Sequence, residues 1–237
     1  MLYSVRMGRN CVSSRKISAI LAFSVFVALP AMSVCALQVT DLEVRPALFW
    51  LGNGYTTDSS GNPVQYSDVS PITGGAGIGV GLQFSPLLSL RPALDFFGIQ
   101  YALVSINGSP KAVPTQIETG NAVLMLNALL SVPLTFTWKL DPQLQFSAGV
   151  SPSMLFRIPT IGYGTPDRGG ITSYLYADAR FFYPEVQTSI MYRMSDQLNA
   201  GFTLRALFPI FHLWDAEAVP FWDQMIISGM LSLRFSL

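Results

Sequence analysis

The sequence predicts an all-β fold, an eight-stranded antiparallel barrel that crosses a membrane, with four long loops at one rim and three short turns at the other. Three observations predict it. Half of the 237 residues are hydrophobic and 12% are charged, with a mean hydropathy of +0.41, whereas soluble domains carry about 25% charged residues. The longest apolar run, Ile17 to Pro30, is shorter than the roughly 20 residues that a spanning helix needs. From Thr40 onward, apolar residues alternate with small or polar ones, which is the period of a strand with two different faces.

Arg6, Arg9, Arg15 and Lys16 precede the apolar stretch ISAILAFSVFVALPA, and small residues surround Val34-Cys35-Ala36. This is the layout of a secretory signal peptide, so residues 1–36 are expected to be a leader and residues 37–237 the barrel. A retained anchor helix fits poorly because the run is too short. A lipid-modified Cys35 fits poorly because bulky Val34 stands where a small residue is usual. Met7 is a second candidate start. Both cysteines, Cys11 and Cys35, lie in the leader, so the mature chain has no thiol for a disulfide, a metal or nucleophilic attack. The leader takes four of the 14 basic residues and none of the 14 acidic ones, leaving 10 against 14, a net charge of −4. That balance is no footprint for nucleic acid.

The strands follow in order. The first, about Asp41 to Leu51, sets Leu42, Val44, Leu48 and Trp50 against Glu43, Arg45 and Ala47. The second sets Ala76, Ile78, Val80, Leu82 and Phe84 against Gly75, Gly77, Gly79, Gly81 and Gln83. Its glycine face leaves a groove, makes room for Phe49 and Phe97, or eases tight curvature, which is the plainest cause. The third, about Leu88 to Leu103, sets Leu90, Leu94 and Phe96 against Arg91, Ala93 and Asp95. The fourth, about Thr119 to Pro133, alternates Ala122, Leu124, Leu126, Ala128 and Leu130 with Asn121, Val123, Met125, Asn127 and Ser131. The fifth, Gln143 to Phe156, sets Leu144, Phe146, Ala148 and Val150 against Gln145, Ser147, Gly149 and Ser151. The sixth, about Ser173 to Tyr192, changes parity between Phe181 and Val186, and a bulge near Pro184 is expected to repair the phase. Leu198, Ala200, Phe202, Leu204, Ala206 and Phe208 mark the seventh; Ile227, Gly229, Leu231, Leu233, Phe235 and Leu237 mark the eighth.

Between strands, tight turns at Ser85-Pro86, Lys139 to Pro142 and Ser195 to Gln197 alternate with long polar gaps at 52–73, 105–118, 157–172 and 211–223. An even strand number with short turns at one rim and long loops at the other is how outer-membrane barrels are built. Charge decides which face points outward. A soluble barrel covers its outside with roughly 25–35% charged residues, whereas the non-apolar face here is mostly Gly, Ser, Asn and Gln, and the only mature lysines, Lys111 and Lys139, fall in a loop and a turn. Aromatics near strand ends, namely Trp50, Tyr101, Phe136, Trp138, Tyr174, Tyr176, Phe208, Trp214, Phe221 and Trp222, are expected to form two interfacial girdles.

The mature chain resembles the small outer-membrane β-barrel proteins, the broad group with OmpA-type, OmpX and OmpW barrels. Its end, GMLSLRFSL, resembles the carboxy-terminal strand that the barrel-assembly machinery reads, with Leu233, Phe235 and Leu237 as the signal, although such signals usually end in an aromatic residue. The resemblance implies an outer-membrane location, a lipid surround, and loops that meet an extracellular partner or small solutes.

An eight-stranded barrel is just wide enough to be filled by side chains. The face assignment sends Glu43, Arg45, Arg91, Asp95, Asp178, Arg180, Glu185, Arg205 and Arg234 inward. They are expected to form an ion-pair network that plugs the lumen, or to line a narrow path for small solutes. The glycine run also matches a dinucleotide motif superficially, but a strand pattern and prolines follow it instead of a helix. One histidine, His212, beside Asp215 and Glu217, is the only conventional acid–base candidate, and one histidine does not build a metal site. No cofactor, metal or catalytic residue is expected. The functions to separate are a porin-like narrow channel, a plugged barrel or adhesin acting through its loops, and a lipid-modifying enzyme.

Overall fold

The computed structural model describes residues 38–57, 63–65, 70–106, 109–115, 121–215 and 219–237; the expected leader, Glu217 and residues 58–62 and 66–69 of the first loop lie outside them. Eight walls close into one ring: β1 (Gln38–Leu51), β4 (Ile72–Gln83), β6 (Ala93–Ile106), β8 (Ala122–Ser131), β10 (Leu144–Tyr163), β11 (Phe182–Arg193), β12 (Leu198–Leu207) and β13 (Ile226–Ser236), which pairs back onto β1. All pairings are antiparallel. Two short strands, β2 (Tyr55–Thr57) and β3 (Pro63–Gln65), form a hairpin in the first loop. Closure leaves the ring of eight walls without a free edge strand, the condition for crossing hydrocarbon with strands.

Outside the sixth strand and the upper ends of the third and fourth, the predicted faces are those observed; Ala122, predicted outward, is buried, and Asn121, predicted inward, lies before its strand and is exposed. Along β1, Asp41, Glu43, Arg45, Ala47 and Phe49 are buried, while Leu42, Val44 and Leu48 are exposed. The same alternation runs through β8, β12 and β13. Water-soluble folds do not leave Leu48, Ile78, Val150, Ile190, Phe202 and Leu231 all open on one surface; this belt is a lipid-facing wall.

Two walls are broken at one height by proline. β5 (Leu88–Leu90) and β9 (Leu134–Lys139) form the lower parts of the third and fourth walls, so the fourth continues beyond the predicted end at Pro133. Pro92 and Pro133 have no amide to donate, and their carbonyls instead accept from Val80 and Arg91 at 3.0 Å each. Turns of 84–87, 140–143 and 194–197 lie at one rim, and the four long connections at the other. The second connection holds β7 (Ser109–Thr115), which pairs with the upper half of β6.

The sixth predicted strand needs correction. Residues 168–176 form helix α1 (Arg168–Tyr176), capped by the Asp167 side chain, and a 3-10 turn follows at Ala177–Ala179. The wall starts only at Phe182 and pairs with β10 without any register shift, so no bulge occurs at Pro184. The parity change marked a helix packing Ile171 and Leu175 into the core. The fifth strand is also longer than predicted, reaching Tyr163 rather than Phe156, with its irregularity between Pro159 and Ile161.

The glycine face makes room for neighbours. A Cβ at Gly75 would stand 2.8 Å from Phe49 and 2.9 Å from the Phe97 Cβ, one at Gly77 would collide with the Asp95 carboxylate, and one at Gly81 with Asp41. The space is therefore filled, not a groove. Gly77→Ala is expected to displace Asp95 and lower the urea midpoint of the refolded barrel clearly, whereas Gly74→Ala, with nothing within 4 Å, leaves it within error; equal midpoints would refute the close-packing account.

Candidate functional site

The candidate site is the lumen and the loop rim above it, and it is layered. Nearest the turns lie Asp41, Glu43, Arg91 and Arg234. Arg91 donates to both Asp41 carboxylate oxygens at 2.7 and 3.2 Å, and Arg234 Nε faces Glu43 Oε2 at 3.3 Å. In the middle layer, Arg45 Nη2 donates to Asp95 at 2.7 and 2.8 Å. Arg205 Nη1 reaches the same carboxylate at 2.5 Å, and its Nε and Nη2 grip Glu185 at 2.7 Å each. Ser131 and Ser153 complete the shell, at 2.6 Å from Arg205 and 2.7 Å from Glu185. Strands β1, β6, β11 and β12 thus meet at one centre.

Four arginines (Arg45, Arg91, Arg205, Arg234) face four carboxylates (Asp41, Glu43, Asp95, Glu185) in these two layers. Charge taken out of water is costly unless paired and hydrogen-bonded, and bidentate guanidinium–carboxylate contacts are the strong form of that pairing. Balanced in this way, the lower lumen is neutral overall and cross-linked from wall to wall.

Above it the filling becomes apolar. Phe49 and Phe97 stack with ring centroids 4.1 Å apart. Met125, Leu129, Leu155, Leu207 and Phe211 are all inaccessible to solvent, with Ile171 and Leu175 of α1 packed among them.

Arg157 lies within this apolar layer. Its Nε donates to the Tyr101 hydroxyl at 3.2 Å and its Nη2 to the Tyr183 hydroxyl at 2.8 Å. Its Nη1 donates to the carbonyls of Arg180 at 3.0 Å and Leu175 at 3.4 Å. Both tyrosine rings lie within 6 Å of the guanidinium carbon. The Tyr176 hydroxyl fastens the same residue's backbone, accepting from Arg157 N at 2.8 Å and donating to Arg157 O at 3.1 Å. Among the described residues no carboxylate pairs with it. The guanidinium instead neutralises the carbonyl end of α1, where a cation is favoured.

The loops lock together over this layer. Asn53 donates to Pro114 O at 3.0 Å and Gly54 N to Asp223 at 2.6 Å, joining the first loop to the second and fourth. Trp214 Nε1 donates to Asp178 O at 2.9 Å, and Arg180 Nη2 stands 3.5 Å from Asp215, joining the third to the fourth. His212 has Nδ1 3.0 Å from Asp215 and Nε2 3.1 Å from Asp223 O.

Of the nine residues predicted to line the lumen, Glu43, Arg45, Arg91, Asp95, Glu185, Arg205 and Arg234 come together there. Asp178 and Arg180 do not: they follow α1 at the loop rim, where Arg180 is buried over the Tyr174 ring and the Asp178 side chain is 55% exposed. Sequence reasoning missed Asp41 and Arg157. Arg157 shares the inward parity of Ser151, Ser153 and Leu155, and carrying the alternation past Phe156 finds it. Two predicted girdle residues are misplaced as well. Tyr101 points inward with Ile99, on the parity opposite Phe96, and Tyr174 packs from α1 against the core. Phe136, Trp138, Tyr176, Phe208, Trp214 and Phe221 are on the surface. Leu233, Phe235 and Leu237 are exposed at the end of the closing wall.

No family model matches the sequence, and no curated protein does. Among solved structures the chain is similar to Neisserial surface protein A, with a TM-score of 0.44 and 12% identity, over 84% of this chain and 96% of that one. It is similar to Ail, the attachment invasion locus protein of Yersinia pestis, with a TM-score of 0.43 and 6% identity, over 84% and 98%. The outer membrane protein OprG from Pseudomonas aeruginosa gives a TM-score of 0.38 and 7% identity, over 84% and 94%. Ring closure, the even strand number, the unequal rims and the outward apolar belt carry the conclusion by themselves: this is a small eight-stranded outer-membrane β-barrel, and the outer membrane is its place.

Proposed function

We propose that this barrel is closed and acts through its outer loops, as a surface-exposed scaffold or adhesin, rather than as a porin-like channel. One observation carries the reading: the lumen is filled from the turn rim upward, by a neutral ion-pair network and then by an apolar layer into which α1 and Phe211 are inserted. The described parts of the four loops are joined to one another over it by hydrogen bonds and an ion pair, which favours presentation to an extracellular partner over passage of solutes. Outer-membrane lipid surrounds the wall, and the outward Leu233, Phe235 and Leu237 are suited to be read by the assembly machinery.

Both ring nitrogens of His212 are engaged by the fourth loop itself, which favours a structural role over lipid-modifying catalysis. His212→Gln is accordingly expected to leave the lipid acylation profile of the cell unchanged; an altered profile would restore the enzyme reading. Planar-bilayer recording on the refolded mature chain tests the main proposal. A folded, heat-modifiable protein without discrete openings is expected, and reproducible openings would overturn it.

A further inference from the structure

The barrel wall is not level at the loop rim. β1, β4, β12 and β13 finish together, with Leu51 and Leu207 both paired to Ile226 and Trp50 paired to Ile72. β10 continues. Its Met154 pairs with Phe182, the first residue of β11, and the strand runs on to Tyr163 with β8 alone beside it, as far as Ala122. β6 follows β8 up to the same Ala122. At about 3.3 Å per residue and a tilt near 45°, β6, β8 and β10 stand roughly 15–20 Å above the opposite wall.

On its β10 and β8 parts the outward side of this taller wall is mostly apolar; the exposed polar residue of the 158–163 stretch, Thr160, turns its hydroxyl to Leu124 O at 2.7 Å. Ile158 is 50% exposed, Ile161 53% and Tyr163 37%, with Leu126 of β8 beside them at 39%. The irregularity between Pro159 and Ile161 keeps Ile161 and Tyr163 facing outward in step with Phe156. A wall standing in water would carry polar residues at these positions. Here Ile158 and Ile161, on either side of the Pro159–Thr160 irregularity, extend the lipid-facing belt, which ends on a tyrosine, the residue type of the headgroup level. On the opposite side the belt ends lower, near Trp50 and Phe208.

We propose that acyl chains of the outer leaflet cover this taller face, so that the membrane boundary climbs obliquely from Trp50 and Phe208 to Tyr163. The barrel then leans in the bilayer or thickens it locally on the β8–β10 side. The proposal rests on the membrane-spanning fold and is independent of whether the lumen is closed.

The mature chain has no cysteine, so single nitroxide labels are straightforward. Labels at Ile158→Cys and Ile161→Cys, with Met154→Cys within the belt and Asp196→Cys in an exposed turn as references, are compared in phosphatidylcholine vesicles. Collision with oxygen, which enters lipid, is set against collision with a water-soluble nickel chelate. The expected result is an oxygen-to-nickel ratio at Ile158 and Ile161 matching Met154 and several-fold above Asp196. A ratio matching Asp196 would overturn the proposal, because the wall would stand in water. Spin–spin broadening that grows with the protein-to-lipid ratio would also overturn it, by showing that a second copy covers the face. Heat-modifiable mobility on gels establishes that each variant is folded.

Discussion

Arg205→Met is expected to destabilise the folded barrel by about 3–5 kcal/mol, the usual cost of removing one partner from a buried charge cluster. Among the described residues Arg205 alone hydrogen-bonds to both Asp95 and Glu185, and it also binds Ser131. Without it Glu185 keeps only the Ser153 hydroxyl and Asp95 keeps only Arg45. The lumen then holds an uncompensated negative charge where water does not reach. Urea titration in detergent micelles, read by the heat-modifiable gel shift, measures the loss. The double variant Arg205→Met, Glu185→Gln restores neutrality and is expected to recover part of it. A single variant as stable as the parent would mean that the network fills space without cross-linking the walls.

Arg157→Met is expected to act higher in the barrel and differently. The methionine retains bulk but no donor, which leaves two tyrosine hydroxyls and the carbonyls of Leu175 and Arg180 short of partners. Each buried group left unsatisfied costs about 1–3 kcal/mol. That cost falls on a segment already strained, because Asp178 and Ala179 hold positive φ angles of 50° and 57°, which non-glycine residues avoid. The third loop is therefore the part that yields. Hydrogen exchange over 168–181 is expected to accelerate by at least tenfold while exchange in β1 and β13 stays as in the parent. Arg157→Lys restores the charge but not the three-directional fork, so it is expected to fall between the two. Unchanged exchange over 168–181 would show that Arg157 does not hold the loop.

The walls were legible because each residue meets either lipid or a packed lumen, and this contrast imprints a period of two. Leu42, Val44 and Leu48 against Glu43, Arg45 and Ala47 is the plainest instance. The third loop was misread because Leu175, Ala177, Ala179 and Phe181 alternate by coincidence within a helix and a turn. The parity break before Val186 was the available signal, since a strand that keeps pairing does not change faces. Which carboxylate meets which arginine was not legible. Arg45 and Asp95 are 50 residues apart and Arg205 and Asp95 are 110 apart, and their meeting depends on the stagger of the whole ring, which local alternation does not encode.

The central claim is that the apolar side of every wall faces acyl chains and the ionised side faces the lumen. A cysteine scan along β11, from Glu185 to Tyr192, tests it most directly, with a fluorescent label at each position and brominated lipid as quencher. Strong quenching at Val186, Thr188, Ile190 and Tyr192, and weak quenching at Glu185, Gln187, Ser189 and Met191, is the predicted pattern. Quenching of the opposite parity, or none at any position, would contradict the account.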